Sequence, residues 1–503
     1  ITYCGGVQQP DIIFTGTTTN TQYAWTSSQN VGFFTSGTAT PTIGTYFIDP
    51  LTQVVSNVVV TPQIVSGALT CSGSPMTFTV TVNPTPTVSA LTAQALCNAS
   101  ATSAINFSGS QAGATYNWTN DNTTIGLAAS GAGNIASFSA TNAGTTTQVA
   151  NITVTPVLGA CTGASTSTTI TVYPTPTVTA PSNQAICAGD ASTEVSLSGA
   201  VSGTLYSWSN DNTAIGLSAS GYGTIPAFTT VNAGTTAATA TVTVTPYNVP
   251  TAGSYFATVS EGQTFTLTAP AGMVFTSVQF ASYGNSTGTG PNFVVGSENA
   301  ANSVAAMEQA ALGNNTFSIA ATDANFPNNF GGTQTLSAVL TYGALANACP
   351  GTPQSFTYTV NPVPVYANQT ATTCSGTALS VTPTGTTVPA GTQFTWTVVD
   401  NPDVTGEAAN ATAASTFSAN LVNTSNTAQT VVYTLTPIAG TCAGASFTMT
   451  VTVDPTPSVT AQTATICSAT SFSVTPANGS GNIVPSGTTY SWSAPSVTGI
   501  TGS

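Results

Sequence analysis

The chain has 503 residues, 14 of them acidic, and no Lys, Arg or His, for a net charge of −14. Nothing in it can neutralise nucleic-acid phosphates or anionic lipid, and no His-dependent nucleophile, P-loop lysine or His-ligated zinc site can be built. At 41% hydrophobic and 8% aromatic residues it still holds enough apolar side chain for several cores, with no run long enough to span a membrane and no signal-peptide pattern at Ile1.

Along the chain, an aromatic–x–Trp pattern returns five times: Tyr23-Ala24-Trp25, Tyr116-Asn117-Trp118, Tyr206-Ser207-Trp208, Phe394-Thr395-Trp396 and Tyr490-Ser491-Trp492. These are all five tryptophans, and they lie 93, 90, 188 and 96 residues apart. The long interval is one period plus about 100 residues, the size of a further domain. A fixed period of this length signals an array.

Each repeat reads as short strands. Residues 77–82, 168–172, 355–360 and 446–453 are rich in β-branched and aromatic side chains, which favours strands. Each run meets a proline cluster, beginning at Pro84, Pro174, Pro362 and Pro455. Proline donates no backbone hydrogen bond, so these read as stiff domain boundaries. A penultimate strand ends in a T-P pair at 61–62, 155–156, 245–246 and 436–437. About seven short strands and one Trp per roughly 90 residues predict an all-β chain of tandem immunoglobulin-like sandwiches in a linear array. The expected domains are 1–83, 84–173, 174–247 plus 346–361, 362–454 and 455–503, with an inserted domain at 248–345. The first and last are expected to be cut within a repeat.

The nine cysteines follow the same register. Cys4, Cys97, Cys187, Cys374 and Cys467 come early in their repeats, and Cys71, Cys161, Cys349 and Cys442 come after the T-P strand. Pairing within repeats gives Cys4–Cys71, Cys97–Cys161, Cys187–Cys349 and Cys374–Cys442, with Cys467 unpaired in this chain. Such a framework implies an oxidising, extracytoplasmic setting. Buried free thiols are the alternative.

Several features have a plain reading beside a functional one. Trp25, Trp118, Trp208, Trp396 and Trp492 are expected to fill sandwich cores rather than bind ligand. Asn120-Asp121-Asn122 and Asn210-Asp211-Asn212 fit turns better than calcium loops, which need more carboxylates. Asp400 and Asp403 also read as turn residues. No cofactor is expected, and no catalytic residue or metal ligand stands out; calcium is the one ion these side chains leave open. Asn-x-Ser/Thr triplets such as Asn98-Ala99-Ser100 are expected by chance in so Asn- and Thr-rich a chain.

The unit of Tyr-x-Trp, T-P, Cys-x-Gly and the final Pro-x-Pro resembles the PKD-like and immunoglobulin-like repeats of giant surface proteins of Bacteroidota-type bacteria. That resemblance implies a non-catalytic adhesin or filament segment at the cell surface, exported by type 9 secretion and in some cases associated with gliding.

The insert has its own character. Residues 299–312 form the best helix candidate, with Gly313 as a stop. Residues 261–267, 280–285 and 326–333 resemble motifs of the galactose- and rhamnose-binding lectin family first known from sea urchin eggs, giving an expected small α+β lectin-like domain. The resemblance implies that Glu261, Tyr283 and Asn328 face a sugar, with Asn285 and Thr335 at positions where the family's basic contacts are replaced. The insert therefore binds surface glycans or serves as a spacer packed on neighbouring repeats. The expected partners are polysaccharide, neighbouring repeats or copies of the chain; nucleic acid and membrane insertion are excluded for this segment. A stalk of a secreted glycosidase, with its catalytic domain elsewhere, and a self-assembling fibre are the alternatives.

Overall fold

Alternation of apolar and polar residues sets the long strands. Gln148–Leu158 buries Ala150, Ile152, Val154 and Pro156 on one face, and Thr166–Tyr173 buries Thr168, Ile170 and Val172. The computed structural model describes residues 1–503 except 7, 9, 33–34, 40–41, 44–49, 494–497 and 499–503. The last residues of the expected fifth repeat thus lie outside the described residues.

In the second repeat one sheet runs Ser130–Ala132, Thr115–Asn120, Gln148–Leu158, Thr166–Tyr173, Gln94–Cys97. Its pairings are antiparallel except the last, which is parallel. A second layer is bridged at Ala101–Ser139 and Ile105–Ile135. Ile105, Phe107, Tyr116, Trp118, Ile152 and Val154 form part of the core between them. The sheets containing Gln22–Ser27, Leu205–Asn210 and Gln393–Val399 follow the same path. These are tandem immunoglobulin-like sandwiches.

The two sequence motifs meet across one strand pair. Tyr116 lies opposite Pro156 and Trp118 opposite Val154. Tyr23 and Trp25 face Pro62 and Val60, and Phe394 and Trp396 face Pro437 and Leu435. Pro156 is tolerated in a central strand because it stands between two ladders: Val154 ends the pairing with Thr166, and Val157 begins the pairing with Thr162. A missing N–H costs nothing there. Trp25, Trp118, Trp208 and Trp396 are buried, at 5–8% exposure. Each of the first three lies over a glycine, Gly37, Gly131 or Gly221, where any Cβ would overlap the indole. Trp492 departs from the core expectation. It is 84% exposed, because among the described residues no strand pairs with 490–492.

In repeats two, three and four one asparagine fastens the chain where it enters the long strand; Asn142 and Asn423 are buried and Asn232 is half-buried. Asn142 Nδ2 donates to Thr146 O and Val172 O, Asn232 Nδ2 to Thr236 O and Val360 O, and Asn423 Nδ2 to Thr427 O and Val453 O. Asn423 is fully buried. Removing its amide leaves buried carbonyls unpaired, so Asn423→Ala is expected to destabilise its sandwich by about 2–4 kcal/mol. Thermal unfolding followed by tryptophan fluorescence checks this, and an unchanged transition would show the asparagine to be idle.

The chain divides into two compact units, residues 1–178, 198–206 and 245–353, and residues 179–197, 207–244 and 354–503. Three disulfides form: Cys4–Cys161 and Cys97–Cys349 within the first unit, and Cys187–Cys442 within the second. Their Cα separations are 5.4, 5.4 and 5.6 Å. This corrects the within-repeat pairing. None of Cys4–Cys71, Cys97–Cys161, Cys187–Cys349 or Cys374–Cys442 occurs; the early cysteines Cys4, Cys97 and Cys187 each join the late cysteine of the following repeat. Cys467 is free as expected, but so are Cys71 and Cys374, and all three are exposed.

Strand direction is the physical reason. Cys97 lies beside Tyr173, at the far end of Thr166–Tyr173. Cys161 sits in the hairpin that precedes that strand, paired with Leu158. The two cysteines of one repeat are thus separated by a strand of eight residues, about 25 Å. A disulfide requires Cα atoms within about 7 Å.

The Cys-x-Gly motif places the second half of each bridge. Gly163, Gly351 and Gly444 donate their N–H to Pro156, Pro246 and Pro437 at 2.8–2.9 Å. Their Cα atoms press on the carbonyls of Pro86, Pro176 and Pro364, where a Cβ would overlap the oxygen. The hairpin of one repeat is thereby laid on its own entry linker, with its cysteine at the preceding repeat. The linker threonines complete the junction. Thr85 Oγ1 donates to Gly5 O, Asn98 Nδ2 donates to Thr175 Oγ1, and Thr456 Oγ1 donates to Ser375 O.

Candidate functional site

The insert is built on three antiparallel strands, Gly253–Ser260, Thr335–Gly343 and Val274–Gly284, in that order. A two-stranded ladder, Thr264–Thr268 with Thr316–Ala320, and a helix, Ser303–Ala311, complete it. The helix begins later than the Ala-rich run suggests. Ser303 Oγ donates to Ala300 O and accepts from Tyr283 N, which ties the first turn to the sheet. Gly313 at φ 75° follows the helix, in the left-handed conformation that favours glycine. Phe265, Phe275, Tyr283, Met307, Phe317, Phe326, Leu336 and Leu340 fill the core.

The candidate residues gather where Thr335–Gly343 begins. Thr335 pairs with Ser260 on one side and Gly284 on the other. Glu261 therefore follows one neighbour and Asn285 the other. Glu261 N donates to Gln334 O at 2.8 Å, and Gln334 N donates to Glu261 Oε2 at 3.1 Å. Thr335 Oγ1 donates to Gly284 O. Asn285 Nδ2 donates to Ser297 Oγ and its Oδ1 accepts from Glu298 N. Asn328 Nδ2 donates to Asp323 Oδ1 at 2.7 Å, and Asn328 Oδ1 accepts from Phe330 N.

Tyr283 does not face outward. It is fully buried, with its ring stacked on Phe326 at 5.0 Å. Strand Val274–Gly284 buries its last four residues together, because the helix packs over it. Tyr283 thus offers no ring to a sugar, contrary to the lectin resemblance. Its hydroxyl donates to Asp323 Oδ1 at 3.3 Å. Burial, and then the charges of Glu261 and Asp323, push it up to about 12. The tyrosine remains a neutral donor that orients Asp323.

Asp323 is the member that the sequence did not announce, for it lies in no motif; its only signal is that acids are rare in this chain. The site thus joins two carboxylates, Glu261 and Asp323, with amides at Asn285 and Asn328. Asp323 and Asn285 are exposed, and Glu261, Asn328 and Thr335 are half-buried. Such a set can accept hydrogen bonds from hydroxyl groups and donate through amides. No group of three His, Cys, Asp or Glu suited to a metal occurs among the described residues.

The Asn-Asp-Asn segments are turns. Asn122 and Asn212 cap the short helices Thr123–Ile125 and Thr213–Ile215. Asp121 accepts from Asn151 N and Nδ2 at 2.7 Å, and these bonds hold its carboxyl below the usual range. Asp403 serves a turn as well, its carbonyl accepting from Thr424 N and Oγ1.

A family model described as a PKD-like domain matches residues 371–457. No curated protein matches the chain. Among solved structures, the human desmocollin-1 ectodomain is 10% identical and covers 91% of this chain and 81% of its own, with a TM-score of 0.23. Drosophila N-cadherin EC1-4 is 9% identical, with coverage of 88% and 94% and a TM-score of 0.24. A protocadherin gammaB7 EC3-6 structure is 9% identical, with coverage of 90% and 98% and a TM-score of 0.27. Superpositions at this level establish neither kinship nor function.

Proposed function

We propose that this chain is a non-catalytic, extracellular segment of a bacterial surface adhesin or filament of the Bacteroidota type. Five PKD-like repeats, divided at residues 84, 174, 362 and 455, would supply the tether, and the insert at 248–345 would stand on it. The observation that carries this reading is the disulfide pattern, in which each bridge joins one repeat to the next. Bridges of this kind persist in an oxidising compartment and are rare in a reducing one. The match at residues 371–457 and the absence of cationic side chains are in keeping with it. Labelling intact cells of the source organism with an antibody to this segment tests it. Signal on unpermeabilised cells is expected, with loss of attachment when the segment is deleted. Protein found only in the cytoplasm, with reduced cysteines, would overturn it.

A second reading concerns the insert, and the convergence of Glu261, Asp323, Asn285, Asn328 and Thr335 favours it. These groups would hold the hydroxyls of a neutral surface glycan, without an aromatic platform from Tyr283. On a glycan array, binding to galactose- or rhamnose-containing sugars is expected, reduced at least tenfold by Glu261→Ala with Asp323→Ala. Equal signals from wild type and variant, or no binding at all, would leave the insert as a spacer.

A further inference from the structure

The three bridges overlap along the chain, closing loops of 157, 252 and 255 residues. Overlap has a mechanical consequence that follows from connectivity alone. When a polymer with crosslinks is pulled, its greatest extension is set by the shortest covalent route between the points of pull. Between Cys4 and Cys442 that route crosses to Cys161, follows the chain to Cys187 and crosses again. Only the 26 residue steps from Cys161 to Cys187 lie on it. The direct chain from residue 4 to 442 would span about 1,500 Å when stretched; the bridged route spans about 90 Å.

We infer that the bridges make this segment an inextensible load-bearing tether, in which sandwich unfolding yields almost no length. The inference rests on the tether reading above. Residues 5–160 and 188–441 are off the loaded route. The loaded stretch contains the final strand Thr166–Tyr173, the Pro174-Thr175-Pro176 linker and the strand Gln184–Cys187. Thr166–Tyr173 is held on both sides, antiparallel to Gln148–Leu158 and parallel to Gln94–Cys97. Gln184–Cys187 is held along Gln354–Asn361.

The bridges are not equivalent in this scheme. Cys97–Cys349 lies off the shortest route and is a reserve. If Cys187–Cys442 is lost, the shortest route runs back from Cys161 to Cys97, crosses to Cys349 and goes forward to Cys442, a stretch about six times longer. A bridge that merely stabilises its neighbours would show no such asymmetry.

Single-molecule stretching of the full chain, held at its two ends, tests this. Cys71, Cys374 and Cys467 are first alkylated so that they cannot exchange with the bridges. The fully unfolded oxidised chain is expected to reach about 300 Å, against about 1,700 Å after reduction. The double variant Cys187→Ser, Cys442→Ser is expected to reach about 770 Å, while Cys97→Ser, Cys349→Ser stays near 300 Å. Oxidised protein that lengthens beyond 1,000 Å, or equal lengths for the two variants, would overturn the inference. This outcome is independent of where the protein resides in the cell, so the tether geometry and the surface reading can fail separately.

Discussion

Gly163→Val should raise the number of titratable thiols in the native protein from three to five. Wild type has Cys71, Cys374 and Cys467 free. Gly163 N is fixed to Pro156 O at 2.9 Å, so the glycine cannot rotate away, and its Cα rests on the carbonyl of Pro86. A valine there must push the hairpin off the linker. Cys161 then leaves Cys4, whose Cα lies 5.4 Å away. Movement of about 2 Å already exceeds what a disulfide tolerates. The variant should also lose roughly 3–5 kcal/mol, since the crosslink closes a long loop and overpacking adds to the cost. Gly73 is the matched control. It occupies the same motif position, but its nearest neighbour is the side chain of Pro62 rather than a linker carbonyl. Gly73→Val should keep three free thiols. Thiol titration with and without denaturant, together with intact mass, reads both. Three thiols in Gly163→Val would mean that the glycine does not place the bridge.

The junction also shows where sequence reading stops. The strands were legible because alternation survives at Gln148–Leu158 and Thr166–Tyr173, and the Trp positions because an apolar ring needs a core. The pairing of the cysteines was not. In a periodic chain, once the insert at 248–345 is set aside, the early cysteine keeps a nearly constant spacing both to the late cysteine of its own repeat and to that of the next. Spacing therefore supports either choice, and only the parallel pairing of Gln94–Cys97 with Tyr173 at its end decides it. Cys-x-Gly was visible as a pattern, but its cause is a carbonyl about 77 residues away, at Pro86. In the insert, Tyr283 read as exposed because it sits beside a glycine in a lectin-like motif. Its burial comes from the helix Ser303–Ala311 packed on that strand, which motif comparison does not register. Asp323 was missed for the converse reason: its role arises from the Tyr283 hydroxyl and the Asn328 amide, 40 and 5 residues away.

The protein should remain folded in acid and fail in alkali. Ordinary acid unfolding draws on paired carboxylates losing their cations and on growing positive charge. Here no Lys, Arg or His exists, so protonating the 14 acids only removes repulsion and leaves the α-amino group as the sole cation. Glu407 is raised by burial and then by Asp400, so its folded state holds a proton more readily than the unfolded chain, and stability rises as pH falls through that range. Asp121 acts the other way; its lowered carboxyl contributes above the ordinary Asp value and is lost below it, but it is fully exposed and the effect is small. At the alkaline end the sign reverses. Tyr283, Tyr358 and Tyr433 are pushed from 10.0 up to about 12, first by burial, with Glu261 and Asp323 adding at Tyr283 and Glu407 at Tyr433. Between pH 10 and 12 the unfolded chain releases these protons while the folded chain retains them. Stability is therefore whole below pH 10 and falls by up to about 1.4 kcal/mol per pH unit for each module that contains one such tyrosine. Melting followed by circular dichroism from pH 2 to 12 is expected to show no acid transition and a steep loss above pH 10. Tyr433→Phe should shift that loss upward for the fourth sandwich, because the hydroxyl is buried without a hydrogen-bond partner and its removal leaves nothing unpaired. An unfolding midpoint between pH 3 and 5, or a flat profile through pH 12, would contradict the assignment of the buried tyrosines as the groups that limit this fold.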